Sequence, residues 1–182
     1  IIPHMIKGTL AVHQNVTESF RKTAANFHYE FNIRHMAGVF QGLLMATSGK
    51  FTTPDKLAFM WCHECERVYG DRLVSYDDLE KFYKIMVDQG KKAFPSYQTQ
   101  KFYLTPDNLN PHMLVFCHFG EGIDGDKVYD QMLDEQKLSH ILYEGLETYN
   151  ESNIQMDLML FNDAMRHNHK AVVKYLKSVG AQ

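Results

Sequence analysis

Positive charge is in short supply in this 182-residue chain: 19 Lys and Arg stand against 22 Asp and Glu, a formal net charge of -3 with a pI near 6.4. Nucleic acids and anionic bilayers need a concentrated basic field, so neither is expected as a partner. Cysteine is sparse as well. Three thiols, Cys62, Cys65 and Cys117, cannot make the even framework of a secreted disulfide scaffold, which points to a reducing compartment. No apolar run is long enough to span a bilayer. The opening residues, with Pro3, His4 and Lys7, carry neither the charged n-region nor the cleavage site of a leader. They start in what reads as mid-element, so the chain is expected to be a piece of something longer. Internal repeats and low-complexity segments are lacking.

Catalytic signatures are missing too. No serine sits in a Gly-x-Ser-x-Gly turn, and nothing fixes a base beside a cysteine. Ser48-Gly49-Lys50 has lysine after glycine but lacks the leading glycine and the following Ser or Thr of a phosphate-cradling loop. The chain alone is therefore expected not to hydrolyse ATP, and no catalytic residue is assigned.

What is present is helix. With 45% hydrophobic residues a real core is affordable. Ile6, Leu10, His13, Thr17, Phe20, Ala24 and Phe27 recur at helical spacing and predict one long first helix ending near Phe27-His28-Tyr29. Asn32 is a good N-cap for a second, whose face is Ile33, Met36, Ala37, Phe40, Leu43 and Leu44, stopped by Ser48-Gly49-Lys50. Thr53-Pro54-Asp55 starts a third, with Leu57, Met60, Trp61, Cys65 and Val68 as its buried stripe. Ser75 and Asp78 resemble a capping box with the shorter acid, opening a fourth helix over Leu79, Phe82, Tyr83, Met86 and Val87 that Gly90 is placed to end.

From Phe94 to Pro111 the pattern breaks, with Pro95, Pro106 and Pro111 marking a connector. The domain reading is a helical bundle over 1–93, a connector over 94–112 and a mixed segment over 113–182. In that last part Met113 to Phe119 reads as a strand, Gly120 to Asp126 as a loop, and Asp134 as the start of a helix with stripe Leu138, Ile141, Leu142, Leu146 and Tyr149. Leu158, Phe161, Met165, Val172, Leu176 and Val179 continue at near-helical spacing, although Met156 to Phe161 alone also fits a strand.

Among candidate functional residues, Arg34 falls in the first turn of its helix, where the positive end of the macrodipole makes a cation mildly unfavourable unless an anion is near. A plain reading makes it a solvated or surface-paired arginine; a sharper one makes it a guanidinium facing a nucleotide phosphate. Glu64, Glu66, Arg67, Asp71 and Arg72 are placed off the apolar stripe of the third helix. Glu64 with Arg67 and Arg67 with Asp71 fit local ion pairs. Alternatively, Glu64, Arg67, Asp71 and Arg72 reach across to a neighbouring module. A zinc site from Cys62, His63, Cys65, Cys117 and His118 is discounted because Cys65 is needed on the apolar stripe and the usual second ligand pair is missing. His167 and His169 point different ways on a helix, and Asp124, Asp126 and Asp130 lack calcium-loop spacing. No metal is assigned.

Four segments together carry a family likeness. His28-Tyr29-Glu30-Phe31-Asn32-Ile33-Arg34, Val39-Phe40-Gln41-Gly42-Leu43, Arg67-Val68-Tyr69-Gly70-Asp71-Arg72-Leu73 and Leu158-Met159-Leu160-Phe161-Asn162-Asp163-Ala164-Met165 resemble dynein heavy chains in order and spacing. Tyr149-Asn150-Glu151 followed by Met156 adds to the likeness, which covers nearly all of residues 6 to 167. It implies a mainly α fold: the helical lid of an AAA+ module, the third of the ring, followed by a partial, mixed α/β N-terminal piece of the fourth. It also implies an ATP-driven motor on microtubules, with ATP or ADP and magnesium bound by the parent motor and not by this segment alone. Arg34 corresponds by that likeness to the lid's sensor-2 arginine. Implied partners are the neighbouring AAA+ modules of the same heavy chain, with microtubules and dynein intermediate and light chains reached through the parent.

The wording is nearer axonemal than cytoplasmic heavy chains, implying a cytoskeletal place in a cilium or flagellum. Two departures stand out. His35 occupies a position where the family usually has aspartate, and after His167 the chain continues as helix where the family runs towards a strand and a Gly-rich loop. Two rival readings remain, a stand-alone helical adaptor binding through aromatic and Met-rich faces and an enzyme with a Cys-His site around Cys62.

Overall fold

The computed structural model describes residues 1–103, 114–123, 125 and 127–160, which fall into two compact units, Ile1–Leu114 and Val115–Gln182. The first holds four helices: α1 (Ile2–Ser19), α2 (Ile33–Leu43), α3 (Pro54–Val68) and α4 (Tyr76–Ala93). The chain is mainly α, as its periodicity predicts.

The third helix is the axis of this unit. It starts with Pro54 at its first position, as expected, and from Met60 to Cys65 every residue is buried. Neither Trp61 nor Met60 exposes any surface, and Phe82 and Met86 of α4 are equally sealed. Each such aliphatic or phenyl side chain removed from water stabilises the fold by about 1.5–3 kcal/mol.

Helix α1 contradicts its predicted stripe. Ile6 and Leu10 are about half exposed and Phe27 is more so, while Met5, Gly8, Thr9, Val12 and Val16 face inward. The reason is close approach. A Cβ at Gly8 would meet Ala93 Cβ and Trp61 Cζ2, each at 3.1 Å, so the buried stripe is chosen by small residues that let α1 lie against the indole rather than by the largest apolar ones. Thr9 Oγ1 donates to Met5 O and accepts from Trp61 Nε1 at 2.9 Å, which satisfies the buried indole N–H.

The first helix is also shorter than expected. It ends at Ser19, and Phe20 turns to extended backbone. Thr23 and Asn26 then exchange local bonds, Asn26 N donating to Thr23 Oγ1, an alternative that Ser, Thr and Asn offer the backbone in competition with helix. Phe20 instead packs against Tyr29 and Phe31, with centroids 6.2 and 6.4 Å away. The Tyr29 hydroxyl donates to Asp78 Oδ2 at 2.9 Å and accepts from Val74 N, fastening this loop to the start of α4.

Helix α4 opens at the expected cap, with Ser75 Oγ accepting from Asp78 N, but the box is not completed, since the Asp78 carboxylate accepts from Tyr29 and Lys81 instead. It runs past Gly90 to Ala93, a correction with a steric cause: a Cβ at Gly90 would come within 2.6 Å of Thr99 Oγ1, so this glycine permits a crossing rather than a stop. Phe94, Phe102 and Tyr103 beyond it are buried, and a 3-10 turn at Thr99–Phe102 packs on α4 and α3.

In the second unit β1 (Val115–Cys117) pairs antiparallel with β2 (Asp130–Met132), Phe116 opposite Gln131. The expected strand is there, though shorter. Gly122 closes the turn after it at φ 108°, a conformation that favours glycine. Asp134 caps α5 (Glu135–Ser152) by accepting from Gln136 N and Lys137 N, and the predicted stripe Leu138, Ile141, Leu142, Leu146 and Tyr149 is buried. Residues 155–160 form neither helix nor strand. Asn150 holds that segment by accepting from Met156 N at 2.7 Å and donating to Met156 O at 3.1 Å. Asp124, Asp126, His167, His169 and the predicted periodicity from Phe161 onward lie outside the described residues.

Candidate functional site

Arg34 sits one residue into α2, on a cap built from both sides. The Asn32 side chain accepts from the Arg34 backbone N–H at 3.0 Å, and the Asn32 N–H donates to His35 Nδ1 at 3.0 Å. This is a capping box with imidazole in place of the usual carboxylate. The bond fixes the tautomer, because an Nδ1 that accepts cannot carry the proton. The Arg34 side chain is exposed, and no ion pair engages it among the described residues.

Around His35 lie Phe31, whose ring centroid is 6.0 Å away, and beyond it Tyr69, 5.9 Å from Phe31. Tyr69 is fully buried and shares a 3.1 Å hydrogen bond with His13 Nδ1 of α1. Burial, then the nearby Arg72 guanidinium, hold His35 below its ordinary value. Desolvation lowers His13 likewise, and raises the Tyr69 phenol.

The rest of α2 contradicts its predicted apolar face. Ile33 and Leu44 are exposed, Phe40 is half-buried, and Val39 is the one residue of this helix that is buried. Glu64 also departs from expectation, since its side chain exposes no surface at all. The expected i, i+3 pair is formed: Arg67 Nε donates to Glu64 Oε2 at 2.8 Å, and Nη2 lies 2.7 Å from the same oxygen. Arg67 Nη2 also donates to the Gly38 carbonyl of α2 at 3.2 Å. Asp71 and Arg72 are exposed, on a 3-10 turn at Gly70–Arg72. So the structure brings Arg34, His35 and Arg72 to one end of the bundle and turns Glu64 inward. His35 and Gly38 were not picked out as site residues. An N-cap followed three residues later by a side chain able to accept would have flagged the first.

Cys62 and Cys65 are buried and free, and burial drives both thiols well above the ordinary range. Thiolate chemistry at Cys62 is correspondingly suppressed near neutrality. Among the described residues no group of three or more His, Cys, Asp or Glu could hold a metal ion, and no helix is long and apolar enough to cross a membrane.

The sequence profile of the AAA+ lid domain family matches residues 5–102. The chain is 48% identical over 163 residues to the dynein alpha chain of the flagellar outer arm of Chlamydomonas reinhardtii, covering 90% of this chain and 4% of the relative. It is 41% identical over 165 residues to the ciliary dynein beta chain of Tripneustes gratilla (91% of this chain, 4% of the relative). Against dynein axonemal heavy chain 17 of Homo sapiens it is 38% identical over 167 residues (92% and 4%). The chain thus spans about a twenty-fifth of the length of these relatives.

Proposed function

We propose that this chain, which belongs to the AAA+ lid domain family in the form carried by dynein heavy chains, is the nucleotide-sensing lid of an ATP-driven, microtubule-based motor. The family match spans more than half of the chain. By the order of its motifs the segment runs from the lid of the third ring module into the start of the fourth. The flagellar, ciliary and axonemal names of the relatives support a place in the axoneme of a cilium or flagellum.

In this reading Arg34 faces the nucleotide, ATP or ADP with magnesium, held by the larger part of the same module. A planar guanidinium suits that role because it presents paired donors to phosphate oxygens and stays charged. The observation that carries it is the exposed Arg34 guanidinium on a doubly capped helix start: the backbone is fixed, the side chain is uncommitted, and a cation at the positive end of α2 is relieved by an incoming anion. Asp71 and Arg72, exposed beyond α3, would face a neighbouring module. Movement between modules would then follow from the lid shifting as a body with nucleotide state, a hinge change with no bond-making in the lid.

The test is Arg34→Ala in the full heavy chain. Hydrogen bonds to a charged group are worth roughly 1.5–3 kcal/mol, so nucleotide retention at this module should weaken by ~10-fold or more, with microtubule gliding slowed. Unchanged retention and gliding would remove Arg34 from the role.

A further inference from the structure

Among the described residues Glu64 is the one carboxylate with no exposed surface, and taking such a charge out of water costs several kcal/mol unless a partner compensates. Its partner Arg67 does more than neutralise it. The guanidinium places Nε and Nη2 on Glu64 Oε2, and Nη2 reaches on to the Gly38 carbonyl, halfway along a different helix. In an α-helix that carbonyl already accepts from residue 42, so Arg67 takes its second lone pair.

The sequence of α2 makes room for this. Gly38 and Gly42 are four residues apart and share one face. A Cβ at Gly42 would overlap the Glu64 carboxylate, whereas glycine lets it sit directly against the helix. Full apolar burial in α2 is confined to Val39, with Met36, Phe40 and Leu43 half-buried and Ile33 and the C-cap Leu44 exposed. The polar bridge therefore adds a directional contact to the apolar packing that holds α2 on α3. Arg34 lies one turn before Gly38 on the same stripe, so whatever sets Gly38 against α3 also sets where Arg34 starts.

We propose that Glu64 and Arg67 are positioning residues: a clasp across Gly38 and Gly42 that locks the register of α2 on α3 and so aims Arg34 at its phosphate. The inference rests on the reading of Arg34 as the nucleotide-facing residue. Neither clasp residue touches nucleotide; both act through the helix.

The experiment is a double-mutant cycle in the full heavy chain, with Mg-ADP as the probe and amide exchange read on residues 34–42. Arg67→Lys keeps the charge but loses the fork that spans Glu64 and Gly38, and Glu64→Gln keeps the shape without the charge. With Arg34 present, Arg67→Lys should weaken Mg-ADP binding ~10-fold; in an Arg34→Ala background the same change should cost less than ~2-fold, because the coupled partner is already gone. Amides of α2 should exchange ~10-fold faster while those of α4 and α5 keep their rates. Equal losses in both backgrounds, or unchanged α2 exchange in both Arg67→Lys and Glu64→Gln, would overturn the clasp and leave the Arg34 reading standing. Should Arg34→Ala alone leave Mg-ADP binding intact, that reading fails and takes the positioning role with it, even if α2 loosens.

Discussion

Trp61 Nε1 donates to Thr9 Oγ1 at 2.9 Å, joining the centre of α3 to the middle of α1 with neither side chain exposed. Thr9→Val keeps the shape but strands the indole N–H, and a buried unsatisfied donor costs about 1–3 kcal/mol. Chemical unfolding followed by Trp61 fluorescence should show that loss, with Thr9→Ser restoring most of it. Equal stability of Thr9→Val and the parent would mean that the bond contributes nothing net.

Glycine to alanine exchanges separate helix propensity from space. Within a helix the change favours alanine by roughly 0.8–1.0 kcal/mol, yet at Gly42 the new methyl would fall on the Glu64 carboxylate. Overpacking typically costs about 1–3 kcal/mol, so Gly42→Ala should destabilise, while Gly49→Ala, with open space around it, should stay within about 0.5 kcal/mol. Urea midpoints of the two variants, taken side by side, decide the matter.

How much of this was legible in the sequence follows from which force decided each element. Caps and starts were readable, because Asn32, Pro54, Ser75 and Asp134 act on neighbouring backbone alone. So was the stripe of α5, where the large apolar residues are also the buried ones. The stripe of α1 was not, since Gly8 and Thr9 win their place by fitting Trp61, 52 residues on from Thr9. Strand β2 is Asp-Gln-Met, three residues without β-branching or an apolar run, held by pairing with Val115–Cys117. At the candidate site Arg34 was found by family likeness. The inward turn of Glu64 was hidden because charge patterning on one helix says nothing about a glycine face on another.

Stability should fall in acid in two stages. The folded chain holds His35 and His13 below the ordinary 6.5, so the unfolded chain takes up protons first, and from about pH 6.5 downward stability declines; above that both states are neutral and nothing is lost. Protonation of His35 also ends its acceptance from Asn32 N. At Asp78 burial pulls upward, but the bonds from Ser75, Tyr29 and Lys81 together outweigh it and hold the carboxyl below 3.8. Its contribution, present above that value, fades as pH drops through the folded-state value. His35→Gln retains a capping-box acceptor without the titration. Urea midpoints between pH 7.5 and 5.5 should fall less for this variant than for the parent; parallel curves would exclude His35 as a source of the slope.

Cys62 and Cys65 should resist alkylation in the folded chain, being sealed from solvent with thiols far above their ordinary range. Iodoacetamide labelling read by intact mass should begin only as denaturant opens the bundle. Fast labelling of Cys62 in buffer would instead revive a reactive-thiol role.

Where the Arg34 guanidinium points when nucleotide is bound is measured directly by a cryo-EM structure of the full heavy chain with Mg-ADP in this module. The Arg34 Nη atoms should lie within about 2.7–3.2 Å of a phosphate oxygen, on an α2 still clasped by Arg67. An Arg34 turned to solvent, or paired with a carboxylate away from an occupied nucleotide, would contradict it.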